Sequence, residues 1–381
     1  MNLKTTLLLC LLLLASPLLH SQETSPEILQ ERLQQKLDSL QQAHKLPGLV
    51  FSAVLPNGEQ INLASGVADS LSMAPMTPDH RMLSGSNGKT FFMAAALVLE
   101  TNGHFQLDDK ISEYIGDEEW FPRLPNAETI TMRMLMNHTS GLEEYYPLGD
   151  FMQKVEQDPS RSFKPLETFS YAFDRAPLFE AGSSWSYADT NFLLLAYILE
   201  KISEIEMYNF IEEHFLAPYA LDATEASTKQ HFELLATGYS GSFSPFPFHG
   251  AMVKEGRLVF NPQFEWAGGG FVSNAADLAR WAKELYHLPV ISEENRQEMR
   301  KGVPAATGKD HLYGLGLQIR PGGALGTSYG HSGWFPGYIT DAVYFPEADL
   351  ALAIQMNTDD LRGKRISAYS LLLELAEVLG E

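Results

Sequence analysis

The chain has 381 residues, 45% of them hydrophobic and 11% aromatic, enough for one large core and too many for a wholly disordered chain. Its formal net charge of −21 argues against nucleic acid and anionic membrane surfaces as partners, because both carry the same sign. Cys10 is the sole cysteine, which excludes a disulfide within the chain and a cysteine-built metal site.

In chain order, Met1 to Gln22 reads as a secretory signal: Lys4 supplies the positive end, Leu7 to Leu14 the apolar run, and Pro17 the break. Residues 1–21 are expected to be removed, leaving a protein in a bacterial periplasm or cell exterior with no stable membrane anchor. Ser25 to Ala43 follows as an amphipathic helix, with Leu29, Leu33, Leu37 and Leu40 at helical spacing. Leu49–Leu55 and Gln60–Val67 are strands joined by the turn Pro56-Asn57-Gly58-Glu59. From Ser86 to about Glu284 the chain is mostly helical, with long Gly-, Pro- and Ser-bearing loops such as Ser240–Gly250. Strands return at Tyr313–Ile319, Ser328–Gly333, Thr340–Phe345 and Leu350–Gln355, and Ser367–Leu379 is a final helix. The expected architecture is α/β (α+β): an antiparallel sheet made by both chain ends and flanked by helices, with an inserted helical subdomain. Residues 22–381 then form one catalytic domain, with a sheet part at about 22–85 and 310–381 and a helical part at about 86–309.

The chemistry centres on Ser84-Gly85-Ser86-Asn87-Gly88-Lys89-Thr90, which opens the apolar run Phe91 to Glu100. One helical turn puts Ser86 and Lys89 on the same face, a hydroxyl beside an amine at the positive end of a helix. Three readings compete. One is a plain serine-rich helix start. A phosphate loop is the second, and it lacks the glycine that Leu83 replaces. The third is an S-x-x-K acyl-transfer nucleophile. Downstream stand Tyr187-Ala188-Asp189 before the helix Thr190–Ile202, and Gly330-His331-Ser332-Gly333 at a strand end. Ser332 is not a nucleophile elbow, because G-x-S-x-G needs one more residue before the second glycine.

S-x-x-K, then Tyr-x-Asp, then His-x-Gly resembles the serine β-lactamase and penicillin-binding protein superfamily, in the branch with class C β-lactamases, DD-carboxypeptidases, D-aminopeptidases and esterases. Gly103–Asp109, Leu135–Leu142 and Gly268–Leu278 are similar to the same branch, and the likeness runs from about Leu46 to Asn357. The resemblance implies Ser86 as nucleophile, Lys89 as its base, Tyr187 as the proton carrier, and His331 where class C enzymes have Lys. It also implies an oxyanion hole from the backbone N–H groups of Ser86 and Trp334, with Asp189, Ser332 and Gly333 against the substrate. Asp189 replaces the usual Asn, and Gln318 stands where the carboxypeptidases carry Arg. Arg320, on the same strand face, is then a candidate to grip a carboxylate. The expected function is a secreted serine hydrolase on a small molecule or peptide, first a DD-carboxypeptidase or D-amino-acid peptidase. The alternatives are a carboxylesterase or β-lactamase, and a non-catalytic penicillin-recognising or interaction protein. No metal or organic cofactor is implied.

Overall fold

A computed structural model describes residues 26–361, 364 and 366–380, so the expected signal peptide lies outside the described residues. The main sheet is built from β1 (Gly48–Val54), β2 (Gln60–Asp69), β3 (Ala74–Pro75), β4 (Val303–Pro304), β5 (Leu312–Tyr313), β6 (Gln318–Pro321), β7 (Thr327–Phe335), β8 (Tyr338–Phe345) and β9 (Leu350–Met356). It runs β4-β5-β6-β7-β8-β9-β1-β2-β3, so the N-terminal hairpin is joined to the last strand. Leu49 pairs with Met356 and Val54 with Ala351, antiparallel. β1 and β9 are buried along their whole length and almost continuously apolar, as central strands covered on both faces must be.

One face carries α1 (Pro26–Ala43) and α5 (Ala368–Leu379). Leu33, Leu37 and Leu40 of α1 meet Leu371, Leu372 and Leu375 of α5 over Phe51, Leu352 and Ile354 of the sheet. The opposite face carries α4 (Ala275–His287), which packs on β1, β8 and β9. Behind it lie the buried helices α2 (Lys89–Thr101) and α3 (Asp189–Ser203). This is the α+β arrangement expected from the sequence. No helix among the described residues is long and apolar enough to cross a membrane.

Two details differ from expectation. Tyr313–Ile319 is not one strand: β5 and β6 are antiparallel neighbours with Tyr313 opposite Gln318. Gly314 and Gly316 interrupt the run, and the Gly314 N–H closes the turn on Leu317 O at 2.8 Å. The helical region also contains a three-stranded sheet of Met82–Leu83, Phe271–Ser273 and Glu225–Ala226. Strands of two or three residues leave no period to read in a sequence.

Candidate active site

Ser86 lies in a 3-10 turn, Gly85–Gly88, that runs directly into α2. Three hydrogen bonds hold this turn from different sides. Asn87 Nδ2 donates to His331 O on β7 at 2.6 Å, and Ser84 Oγ donates to Phe271 O at 2.9 Å. Trp281 Nε1 of α4 donates to Thr90 Oγ1 at 2.8 Å. Glycine is required where turn and strand touch. Gly85 has φ +52, and a Cβ there would lie 2.6 to 2.8 Å from the Trp334 backbone. A Cβ on Gly333 would strike the Ser84 carbonyl.

Lys89 is fully buried. Its Nζ lies 3.1 Å from Ser86 Oγ and 2.5 Å from Asp189 Oδ1, and it also donates to Gly268 O. An ammonium has three hydrogens, and here each has an acceptor. Asp189, expected against the substrate, has its carboxylate ion-paired to Lys89. Asn at this position would leave the lysine without that counter-charge.

Tyr187 precedes α3, and Lys89 Nζ lies 4.9 Å from its ring centroid. Its Oη is buried, with no hydrogen-bond partner among the described residues. Burial pushes the phenol well above 10, Asp189 adds to this, and the neighbouring Ser86 hydroxyl opposes it. Behind Tyr187 lies a buried chain, His138–Tyr313–His331. His138 Nδ1 accepts from Ala188 N at 3.3 Å and Asn191 Nδ2 at 3.2 Å, so its Nε2 carries the hydrogen and donates to Tyr313 Oη at 3.1 Å. The Tyr313 hydroxyl then donates to His331 Nε2 at 2.8 Å, and His331 Nδ1 donates to Ser332 O at 2.5 Å. Both imidazoles are neutral in this pattern. Burial, reinforced by Lys89 and resisted by Ser332 O, drives His331 down to about 3. His331, expected either to donate to a substrate carboxylate or to hydrogen-bond Tyr187, is 1% exposed and is the last acceptor for the Tyr313 hydroxyl.

The register of β7 explains Trp334. Ser332 N–H points away from β8 and reaches Gln318 Oε1 at 3.3 Å. Backbone direction alternates along a strand, so the Trp334 N–H two residues on points the same way, toward Gly85 and Ser86. Ser86 N–H is an early amide of the 3-10 turn, where donors have no partner within the turn. The expected oxyanion-hole pair thus sits on two segments, the Ser86 turn and β7, that touch at Gly85 and Trp334.

Two cavities open from Ser86. The smaller, about 260 Å³, has Tyr145, Tyr146, Phe246 and Phe264 in its wall with Glu144, Asp189 and Glu265. Glu265 is 3% exposed and its Oε2 has no partner. Burial, with Asp189 beside it, raises its carboxyl to about 8 against the pull of Lys89 and the Gly270 N–H. Burial and Asp189 raise Glu144 likewise, although it accepts from Asp189 N at 2.7 Å and Tyr145 N at 2.9 Å. The larger cavity, about 550 Å³, is lined by Ser86, Tyr187, Gln318, Arg320, Ser332 and Tyr369 among others. Arg320 was a candidate to grip a carboxylate, with loss of that clamp as the alternative. Its two terminal nitrogens bind Asp341 at 2.8 and 2.6 Å, a pair buried to 4% and 2% exposure.

Ser86, Lys89, Tyr187, Asp189, His331, Ser332, Gly333 and Trp334 therefore meet at one point, and Arg320 lies in a wall with its charge committed. Sequence reasoning missed His138, Tyr313, Glu144 and Glu265. His138 and Tyr313 stand in stretches noted for other reasons, whereas Glu144 and Glu265 lie just outside the noted stretches Leu135–Leu142 and Gly268–Leu278.

A serine bonded to a buried lysine, with a tyrosine alongside, defines the chain as an active-site serine hydrolase of the penicillin-recognising fold. It belongs to the β-lactamase family, whose model matches residues 33–377. A penicillin-binding protein of Bacillus subtilis is 24% identical over 338 residues, 87% of this chain and 72% of that protein. A D-aminopeptidase of Brucella anthropi is 27% identical over 303 residues, 78% of this chain, which spans about half (53%) of the relative. Among solved structures, a D-stereospecific amidohydrolase from Streptomyces superposes with a TM-score of 0.77 at 25% identity, covering 92% of this chain and 99% of that one. The D-amino acid amidase of Ochrobactrum anthropi SV3, in complex with L-phenylalanine amide, is similar in fold, with a TM-score of 0.79 at 24% identity, covering 92% and 98%.

Proposed function

We propose that this protein hydrolyses amide bonds formed by a D-amino acid whose α-amino group is free, by way of an acyl-enzyme on Ser86. The carrying observation is Glu265 Oε2, which has no hydrogen-bond partner among the described residues and is grouped with Asp189 and Glu144 in an aromatic-walled cavity that reaches Ser86. A substrate ammonium is the complement of that cluster, because a cation beside Glu265 and Glu144 favours the ionised form that burial opposes, and an apolar side chain is the complement of its walls. Carboxylate-directed substrates fit worse: Lys89 and Arg320 are ion-paired, and His331 is neutral. This favours the D-amino-acid peptidase side of the sequence reading over a DD-carboxypeptidase or β-lactamase. The D configuration rests on the named relatives, a D-aminopeptidase and D-amino acid amidases.

In the proposed reaction Ser86 Oγ attacks the carbonyl carbon, and the oxyanion takes hydrogen bonds from Ser86 N and Trp334 N. The Ser86 proton passes to Lys89 in its amine form and, through Tyr187, to the departing nitrogen as the C–N bond breaks. A substrate cation entering beside Asp189 adds positive charge to the cluster, which favours loss of a proton from it. Water then cleaves the Ser86 ester, giving the free amino acid. Esters of the same acyl group would follow the same route.

The test is kcat/KM for D-phenylalanine amide, L-phenylalanine amide, N-acetyl-D-phenylalanine amide, a D-Ala-D-Ala peptide and a chromogenic cephalosporin. D-phenylalanine amide should be best, and N-acetylation should cost about 10²-fold or more, because it removes the cation and leaves buried carboxyls unmatched. Equal turnover of the N-acetyl amide or of the D-Ala-D-Ala peptide would overturn the reading. Ser86→Ala should lose both turnover and the mass adduct formed with a fluorophosphonate.

Export is part of the same proposal. Lys4, the Leu7–Leu14 run and Pro17 support it, and sequencing of the mature protein should give an N-terminus near Gln22. An intact Met1 end in a cytoplasmic fraction would refute it.

A further inference from the structure

We propose that the larger cavity beside Ser86 is a leaving-group subsite, and that the group it takes is an uncharged peptide segment rather than ammonia. The inference rests on the reading above, which puts the substrate ammonium in the smaller cavity.

The reaction centre has three arms to accommodate. The carbonyl oxygen lies between the Ser86 and Trp334 amides, so the acyl arm and the leaving nitrogen must diverge from there. The two cavities meet at Ser86, Tyr187 and Trp334 and extend to different sides. The carboxyl cluster fixes the acyl arm in the smaller one, which leaves the larger for the group beyond the scissile bond. Ammonia needs no more room than a water molecule, about 30 Å³. The cavity offers about 550 Å³, a volume in the range that encloses small organic ligands.

The lining also specifies polarity. Arg320 Nε is buried without a hydrogen-bond partner, while its two terminal nitrogens are used by Asp341. The pair is charge-balanced and its guanidinium is committed to Asp341, so it is a weak partner for a terminal carboxylate. Ser332 Oγ and the Gln318 amide lie beside it, bonded to each other at 3.0 Å and able to exchange that bond for one to a peptide. The Arg320 guanidinium lies 3.9 Å from the Tyr369 ring centroid, so the pair is packed from the α5 side as well. His311, in the same wall, is held below its usual range by burial, with Arg320 adding to this, and so adds little positive charge at neutral pH. On acylation the C–N bond breaks, the nitrogen takes the proton that left Ser86, and the neutral-ended peptide departs through this cavity.

The experiment compares kcat/KM for D-phenylalanine amide, D-Phe-Gly-Gly amide and the free acid D-Phe-Gly. The tripeptide amide should exceed the simple amide by about tenfold or more, and the free dipeptide should fall below the tripeptide amide. Thr307 lies on the exposed rim of the cavity and Ile366 in its wall. Thr307→Trp and, as a second variant at a separate point, Ile366→Trp should each lower the ratio of tripeptide to simple amide by about tenfold. A simple amide hydrolysed as well as the tripeptide, or a ratio that neither variant moves, overturns the subsite while leaving the proposed function intact. Failure to hydrolyse any free-amino D-phenylalanyl substrate overturns both.

Discussion

At the scale of single residues, the site depends on a charge that its position in the motif hides. Asp189 gives Lys89 its counter-ion, and the two share one cluster with Glu265 and Glu144. Asp189→Asn keeps an oxygen for Lys89 but removes the charge that the substrate ammonium also needs. It should raise KM for D-phenylalanine amide by about tenfold or more, as expected for loss of a charged partner at a dry site. An unchanged KM would separate Asp189 from binding. Tyr313 bears on the same site indirectly, as a positioning residue. Tyr313→Phe leaves the His138 Nε2–H and His331 Nε2 without their common partner. The expected cost is about 1–3 kcal/mol of stability for groups left buried and unsatisfied. kcat should fall more than KM rises, because β7 carries both His331 and the Trp334 amide. Denaturant unfolding and steady-state kinetics on one preparation read both effects.

At the scale of elements, the catalytic space exists because β7 touches the turn that bears Ser86. Gly333→Ala would force a methyl into the Ser84 carbonyl, so strand and turn must part. Activity should drop by about 10²-fold while most of the fold persists, since misplacing an oxyanion donor costs about that much. Retained wild-type kcat would refute the assigned contact. Arg320 and Asp341 operate on β6 and β8, across β7 between them. Arg320→Met strands a buried carboxylate and should cost about 3–5 kcal/mol of stability. If it instead raised KM selectively for carboxylate substrates at full stability, the carboxylate-clamp role would return.

At the scale of the whole molecule, buried titratable groups shape stability against pH from both sides. Glu265 is raised from 4.5 to about 8, so the folded state holds a proton that the unfolded chain has lost, and stability falls as pH rises through that window. His331 is lowered from 6.5 to about 3, so the unfolded chain binds a proton that the folded one refuses, and stability falls as pH drops through that window. The wild-type melting temperature should therefore be highest between these arms, at mildly acidic pH. Glu265→Gln should shrink the alkaline arm, to which Glu144 also contributes, and leave the acid arm alone. An alkaline arm of unchanged size, or a loss of the acid arm, would break the assignment.

The sequence by itself determined the periodic elements and the order of the motifs. The leucine spacing of α1, the turn after β1 and the apolar strands β7 to β9 are local patterns, and local patterns are what a linear text carries. S-x-x-K is also local, because one helical turn brings Ser86 to Lys89. Only the tertiary structure decided what the charges do. Asp189 meets Lys89 from 100 residues away, and Arg320 meets Asp341 from the second strand over. Glu265 becomes a buried acid, with no partner for Oε2 among the described residues, through the path of its chain. Burial sets whether a carboxyl or an imidazole is charged, and burial is a property of all the elements packed around a residue. The choice between an ammonium and a carboxylate as the substrate's recognised group therefore depends on packing that no local run of residues encodes.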